Sequence, residues 1–427
     1  MRERNKRTRL SALTVALAVG TLAAITVAFV VVAVLSFRVL FDDLGGDSSR
    51  SSLEPVRLIG PERTVFKWST DACDPSDYPD TAARAFRDAN GNVQLIASHQ
   101  TTRRSAGRDL GGLRHVCNVA MKSGNNPDPA QYDDTEWVSS TYTLDGKRVY
   151  ALVHDEYHGW AHPGRCPYGG PPFTGRTSPP CWYNTITLAS STDGGRSFVQ
   201  PPPAARLVAG LPYRYVPEEK PYGLFNPSNI VHNESDGHYY AVVRAEGRGL
   251  QKPGVCLIRT SRLDDPGSWR AWDGSDFNVR FIDPYRSDAS PDGHVCAPVA
   301  SGEIQDMTDS LTYNTYFDKY LLVGVAGRHD PTSGEQKLGI YYSLSDDLVD
   351  WDKAKLIHEI EVPSTWRCGD SDPIEYPSVL DPYSDSPNFE TTGQRAWLFF
   401  TRHHFSGCNP EPTPNRDLVR IGVEFSK

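Results

Sequence analysis

No CxxC pair occurs anywhere in the chain, which argues against a zinc ribbon or a dithiol redox centre. HExxH is missing too; the nearest approach, "HDEYH" at 154–158, has the wrong order for the zinc-protease helix. Helical periodicity is scarce, so a helix bundle is disfavoured. Positive charge is also lacking once the first 38 residues are set aside. Those residues carry Arg2, Arg4, Lys6, Arg7, Arg9 and Arg38 against Glu3, a net of +5, and subtracting this from the whole-chain −9 leaves about −14 for the remainder. Nucleic-acid affinity rests on Lys and Arg neutralising phosphates, so such an acidic body excludes a phosphate-backbone binder.

What the chain does have begins with a basic tail (1–9), followed by Leu10 to Phe37 without a charge. That uncharged run exceeds the roughly 20 residues needed to cross a bilayer and is too long for a cleaved signal core. The expectation is a single-pass signal anchor over 10–37 and a flexible stalk over 38–55. Basic residues on the N-terminal flank put that end in the cytoplasm and residues 56–427 outside. Eight cysteines, at 73, 117, 166, 181, 256, 296, 368 and 408, then read as disulfide staples. Pairing sequence neighbours (73–117, 166–181, 256–296, 368–408) is the simplest connectivity, though the sequence alone does not fix it.

An internal repeat organises the rest. Its first two strands occur as "DTAARAFRDANGNVQLIASH" (80–99), "EWVSSTYTLDGKRVYALVHDEYHG" (136–159) and "NPSNIVHNESDGHYYAVVRAEG" (226–247). A fourth copy runs from "HVCAPVASG" (294–302) to "DKYLLVGVAGRHD" (318–330), and a fifth from "EYPSVLDP" (375–382) to "QRAWLFFTRHH" (394–404). Asn-Gly and Asp-Gly at 90–91, 145–146 and 236–237 suit tight hairpins. Outer strand pairs follow, each with Ser, Asp and an aromatic across a turn: "SSTDGGRSF" (190–198), "SRLDDPGSW" (261–269) and "SLSDDLVDW" (343–351). Four-stranded units in five copies predict an all-β, five-bladed β-propeller. "VRLIGPERTVFKW" (56–68) would supply the outer strand of the last blade and close the ring.

In such a blade the start of strand one and the end of strand two lie on one face. Strand-one starts give Asp80, Glu136, Asn226, His294 and Glu375. Strand-two ends give His99, His154 to His158, Arg244 with Glu246, Arg328 with His329, and Arg402 to His404. The opposite ends carry mainly turn residues, so one face is expected to gather the ionisable groups around a polar ligand. Ion pairs tying blades together are the plainer explanation for any single residue among them.

"SSTDGGRSF" resembles the Asp box of sialidase-type propellers, and "SLSDDLVDW" resembles a turn of furanosidase-type propellers; both are read as structural, the Asp holding turn N–H groups while the aromatic packs between blades. As a whole, residues 56–427 resemble the five-bladed propeller glycoside hydrolases, the arabinanase, β-xylosidase and invertase-like group. The resemblance implies hydrolysis of a polysaccharide or oligosaccharide, of furanosidic type in part of the group, by an Asp opening the first inner strand, an Asp opening a later one, and a Glu in an E-x-P setting. "YPDTAARAFRD" supplies Asp80 and "EYPSVLDP" supplies Glu375, the latter in the fifth copy. Asn226 stands where the second Asp is expected.

Glycosidic hydrolysis needs two carboxyl groups, one protonated acid and one base or nucleophile, held at different pKa values by their surroundings. Asp80 is the base or nucleophile of this reading, with no cation beside it in sequence. Glu156 and Glu375 compete for the acid: Glu156 sits in the densest cluster, where Asp155 would raise its pKa by like-charge repulsion, and Glu375 has the motif context. Trp137, His158, Trp160, Asn226, Arg244, Glu246, Arg328, His329, Arg402 and His404 are the candidate substrate contacts. No cofactor is implied, and a structural calcium in the channel stays open. Two rival readings stand beside this one. The first is a sialidase-like enzyme whose Arg244, Arg328 and Arg402 bind a carboxylate; the second is a carbohydrate-binding propeller without catalysis, favoured by Asn226.

Overall fold

The computed structural model describes residues 55–427 apart from 172, 174–177, 301, 330–333, 406 and 409–413. The expected anchor at 10–37, the tail 1–9 and nearly all of the stalk lie outside the described residues, among which no helix is long and apolar enough to cross a membrane. Within them the chain is all-β, its one α-helix being the single turn Trp68–Asp71.

A first strand, β1 (Val56–Phe66), precedes a meander of β2 (Pro79–Arg87), β3 (Val93–Ser98), β4 (Thr101–Gly107) and β5 (Arg114–Lys122). Next come β6 (Thr135–Thr143), β7 (Val149–His158), β8 (Trp182–Ser191) and the short β9 (Leu207–Ala209). A third group has its first strand broken into β10 (Tyr222–Phe225) and β11 (Val231–Asn233), then β12 (His238–Glu246), β13 (Gly254–Thr260) and β14 (Arg270–Ala271). The fourth comprises β15 (Ser310–Asn314), β16 (Lys319–His329), β17 (Gln336–Ser345) and β18 (Lys355–Glu359). The last has β19 (Ile374–Leu380), a two-residue β20 (Thr391–Thr392) that pairs with β15, β21 (Arg395–His403) and β22 (Arg416–Phe425). The second and third groups merge into one nine-stranded sheet because β10 runs parallel to β8; the other sheets have four, five and four strands.

β1 pairs antiparallel with β22, from Val56↔Phe425 to Phe66↔Leu418, so the two ends of the described chain close one sheet as expected. The first strands are also stitched together in order. Arg84 on β2 donates to the Ser139 carbonyl of β6 at 2.7 Å and to Pro227 O at 3.3 Å. Leu311 N of β15 donates to Asn229 Oδ1 (2.8 Å), Val379 N of β19 to Ser310 Oγ (3.0 Å), and Ser378 Oγ back to Ala83 O of β2 (2.7 Å). All four disulfides have the neighbour connectivity.

The Ser–Asp–aromatic turns are structural. Asp193 accepts from the N–H groups of Arg196 and Ser197, both at 3.0 Å, while Phe198 packs with Phe86 and Ile96 of the preceding group. Asp347 likewise accepts from Val349 N and Asp350 N, with Trp351 packed against Tyr240 and Leu257.

One strand differs from expectation. Residues 294–300 and 302 form turns and irregular backbone, and the fourth group's first strand is β15 instead. "HVCAPVASG" carries Pro298 and, two residues later, Ala300, whose φ is +41°; proline lacks the N–H that a ladder needs. His294 therefore opens no inner strand, and its ring faces the Arg280 carbonyl at 2.6 Å. Asp309, immediately before β15, takes that place.

Candidate active site

The first strands are irregular where they enter the mouth of the ring. Register slips fall between Pro79 and Arg84, between Val138 and Ser140, and between Glu375 and Ser378. Bulges of this kind re-aim side chains beside functional sites. At the last of them Tyr376 adopts φ +58° ahead of Pro377, and its hydroxyl donates to Asp80 Oδ1 at 3.3 Å. Such a conformation costs a non-glycine residue of order 1–3 kcal/mol and persists only when its surroundings over-determine it.

Asp80 is the hub. Arg416, opening β22, is ion-paired with Oδ1; Trp137 Nε1 donates to Oδ2 at 3.2 Å and His99 Nε2 lies 3.6 Å from the same oxygen. The absence of a cation beside Asp80 in sequence is thus reversed in space. Burial alone would lower the Arg416 pKa, but Asp80, Tyr376, Tyr78 and Glu375 together raise it, so the guanidinium stays charged.

Glu156 lies two residues before the end of β7, between two histidines, with His158 Nε2 at 2.8 Å and His154 Nδ1 at 3.3 Å. Burial pushes its carboxyl up to about 7; His154 opposes this and the charge of Asp80 adds to it. Burial lowers His158 to about 4 and lowers His154 as well. With both imidazoles neutral near pH 7, the Glu156–His158 contact holds one proton at the mouth. Glu375 opens β19, a third exposed, with His403 Nε2 at 2.9 Å. Asp80, Glu156 and Glu375 all act electrostatically on Tyr376, so the three carboxylates share one locality.

Asp155 behaves differently from the sequence expectation. Strand alternation turns it to the other face of β7, where it accepts from Asp134 N (3.0 Å) and Thr185 Oγ1 (3.1 Å). The causes that raise Glu156 are burial, Asp80 and Asp134 rather than Asp155.

Among the expected substrate contacts, Trp137 is buried as a support for Asp80. Trp160 stacks on His158 with ring centroids 4.2 Å apart and planes within 20°. Asn226 is exposed, with φ +42°. Arg244 pairs with Glu246 two residues along the same strand face and acts electrostatically on Asp309. The other arginines turn away. Arg328 donates to the carbonyls of Gly327 and Glu303, with His329 near Gly334 O. Arg402 makes a bidentate pair with Glu62 of β1, at 2.6 and 2.8 Å. The carboxylate-binding Arg triad of the sialidase reading is therefore not assembled. His404 lies between Asp372 (2.9 Å) and Asp417 (3.1 Å), a clasp between loop and strand that raises its pKa.

Sequence reasoning missed three residues. Arg416 starts a third strand, a position on the same face by the antiparallel rule that picked Asp80, and its long side chain reaches inward. Tyr376 depends on a bulge without a composition signature. Asp309 was hidden by the misplaced fourth strand; burial pushes its carboxyl to about 6, with Val325 N, Arg84 and Arg244 pulling the other way. The opposite face is also less bland than expected. A cleft of ≈ 890 Å³ there is lined by Glu234, Asp318, Asp346, Asp381, Asp385 and Glu390.

The cluster of three metal-ligating side chains found among the described residues is Cys73, Asp77 and His115, and Cys73 is bonded to Cys117. Arg84, buried between three first strands, already places a cation inside the ring.

No protein-family description matches the chain, and no curated protein is similar to it in sequence. Similar solved structures include Zg3597, a family 117 glycoside hydrolase produced by the marine bacterium Zobellia galactanivorans (TM-score 0.48, 9% identity, covering 87% of this chain and 91% of that one). A sucrose-6-phosphate hydrolase from Lactobacillus gasseri has TM-score 0.45 at 12% identity, covering 83% and 62%. The Cellvibrio cellulosa α-L-arabinanase complexed with arabinohexaose has TM-score 0.41 at 10% identity, covering 81% and 92%.

Proposed function

We propose that the chain is a glycoside hydrolase acting on a polysaccharide or oligosaccharide, with Glu156 as general acid and Asp80 as the base or nucleophile. The observation that carries this is the pairing of unlike carboxyls: Glu156 raised to about 7 by burial and by Asp80, and Asp80 itself ion-paired with Arg416. Two carboxyls in one pocket with opposite protonation are what glycosidic cleavage requires. Glu156 protonates the departing glycosidic oxygen, and His158 holds the same proton in reach. Asp80, steadied by Arg416, Trp137 and Tyr376, assists water or attacks the anomeric carbon. Glu375 and Asp309 keep further negative charge at the mouth, where an oxocarbenium-like transition state develops positive charge.

The stitched first strands and the β1–β22 closure support a five-bladed ring as the scaffold, the nine-stranded sheet counting as two blades. The charge-free run at 10–37 supports a membrane-anchored protein with its catalytic body on the extracytoplasmic side. Furanosides are the first substrates to test, because "SLSDDLVDW" and the E-x-P setting of Glu375 resemble those enzymes. The binding-only alternative rests on exposed Asn226 in place of an acid.

A panel of aryl furanosides, aryl pyranosides and sialosides decides between these readings. Hydrolysis of a furanoside or pyranoside by the wild type is expected, with Asp80→Asn losing it on every substrate by a factor of about 10³ or more. Glu156→Gln should lose about 10²–10⁴ on natural linkages but far less on nitrophenyl leaving groups, which need little protonation. Sugar binding without turnover, unchanged in Asp80→Asn, would establish the binding-only reading.

A further inference from the structure

A second cleft, of ≈ 410 Å³, lies along the outer edge of the last sheet, between β1, β21, β22 and the turn carrying Tyr383. Its charge is the reverse of its surroundings. In a body of net charge about −14, it is lined by Arg63, Arg395 and Arg420, and no carboxylate appears among its described lining residues. The acidic cleft that shares Tyr383 with it has no Lys or Arg among its described lining residues.

Arg63 and Arg420 are direct register partners across β1 and β22. Like charges facing each other across a strand pair are destabilising. The consequence is visible in Arg420, whose pKa is lowered by burial and then by Arg63. Arg395 is neutralised by Glu424 at 2.6 Å, whereas Arg63 has no carboxylate partner among the described residues. Asp109, which offsets Arg420 in part, is held by its own turn: Oδ1 accepts from Gly111 N and Gly112 N, both at 2.8 Å. The Arg420 guanidinium carbon sits over Trp397, 3.4 Å from the ring centroid, a cation–π contact that holds the group at the cleft. Tyr383 is 86% exposed on the wall of the cleft, with its backbone N–H anchored to Asp381 Oδ1 at 2.8 Å.

We infer that this cleft is a secondary binding site for a carboxylated sugar unit of an acidic polysaccharide, distinct from the mouth. A bidentate carboxylate would relieve the Arg63–Arg420 repulsion, and the Tyr383 ring offers a face for the sugar. The site holds a chain against the protein without reacting with it.

The test measures binding alone, so it stands or falls independently of hydrolysis. Affinity electrophoresis and calorimetry are run with polygalacturonate and with neutral arabinan, using the Asp80→Asn protein so that nothing is consumed. The expected result is salt-sensitive binding of polygalacturonate, weakened at least about tenfold by Arg63→Glu, with arabinan unaffected. Arg63→Glu replaces a repulsive cross-strand pair with an attractive one, so its thermal midpoint should hold or rise, separating lost binding from lost fold. Tyr383→Ala, at an exposed position, should weaken the same binding. Absence of polygalacturonate binding in the parent protein would overturn the inference, as would undiminished binding in Arg63→Glu.

Discussion

The mouth of the ring and the face opposite it are both rich in carboxylates, yet they use them in contrary ways. On the far face Glu390 and Asp381 are satisfied by neutral donors, while Asp346 at the rim pairs with Lys319. Glu390 accepts from His232 N (2.7 Å), Ser386 Oγ (3.0 Å) and Tyr142 OH (3.1 Å), and Asp381 accepts from Tyr383 N and Gly393 N at 2.8 Å each. These are turn and strand-end devices that compensate buried acceptors. At the mouth the acids face other ionisable side chains: Asp80 meets Arg416 and His99, Glu156 meets His154 and His158, Glu375 meets His403. Carboxylates held by backbone and hydroxyl donors have no ionisable partner to exchange with, whereas Glu156, buried between two imidazoles and pushed up to about 7, can exchange a proton near neutral pH. That contrast, more than the number of acids, marks the mouth as the place of chemistry.

The contrast can be broken by exchanging amides for acids on the two faces. Asp80→Asn and Glu156→Gln should abolish most hydrolysis while leaving the fold intact. Arg416→Lys comes next: it keeps the charge but loses the planar fork, and displacement of Asp80 should lower kcat by about a hundredfold with little change in KM. On the far face Glu390→Gln should leave activity within about twofold and cost about 1–2 kcal/mol of stability in urea unfolding. Inactivation by Glu390→Gln at full stability would erase the distinction.

A smaller effect sharpens the comparison behind the mouth. Glu136 and Asp155 face each other across β6 and β7, and burial raises both pKa values, with Asp155 adding to the rise at Glu136 and Asp134 and Asp133 adding to the rise at Asp155. The folded protein therefore keeps protons that the unfolded chain releases above the ordinary carboxylate range. Stability is complete below that range and declines as pH rises through the raised values, by up to about 1.4 kcal/mol per pH unit for each group. Urea midpoints across neutral pH should fall with rising pH in the wild type and fall less steeply in Glu136→Gln.

Much of this architecture was legible because it is written in periodic and local signals. Asn90-Gly91 and Asp145-Gly146 announce hairpins, Asp193 and Asp347 announce turns, and "VRLIGPERTVF" reads as a strand without a partner of its own. The disulfide connectivity matches the simplest neighbour pairing, which the sequence alone did not fix. Legibility failed where direction or long reach decides. Asp155 and Glu156 are adjacent in sequence but point to opposite faces. Arg402 stands at the right strand end, yet Glu62 of β1 claims it. Arg416 lies 336 positions from Asp80, and no local pattern connects them. Asp309 was lost because a proline-bearing segment imitated a strand.

The account depends on Glu156 and Asp80 sharing one pocket, and a carboxyl titration of Glu156 tests this most directly. Carbon-detected NMR on protein labelled at glutamate side chains should show Glu156, assigned through Glu156→Gln, titrating near pH 7 in the wild type and at a lower pH in Asp80→Asn. A Glu156 that titrates in the ordinary glutamate range, or whose midpoint does not move when Asp80 loses its charge, would contradict it.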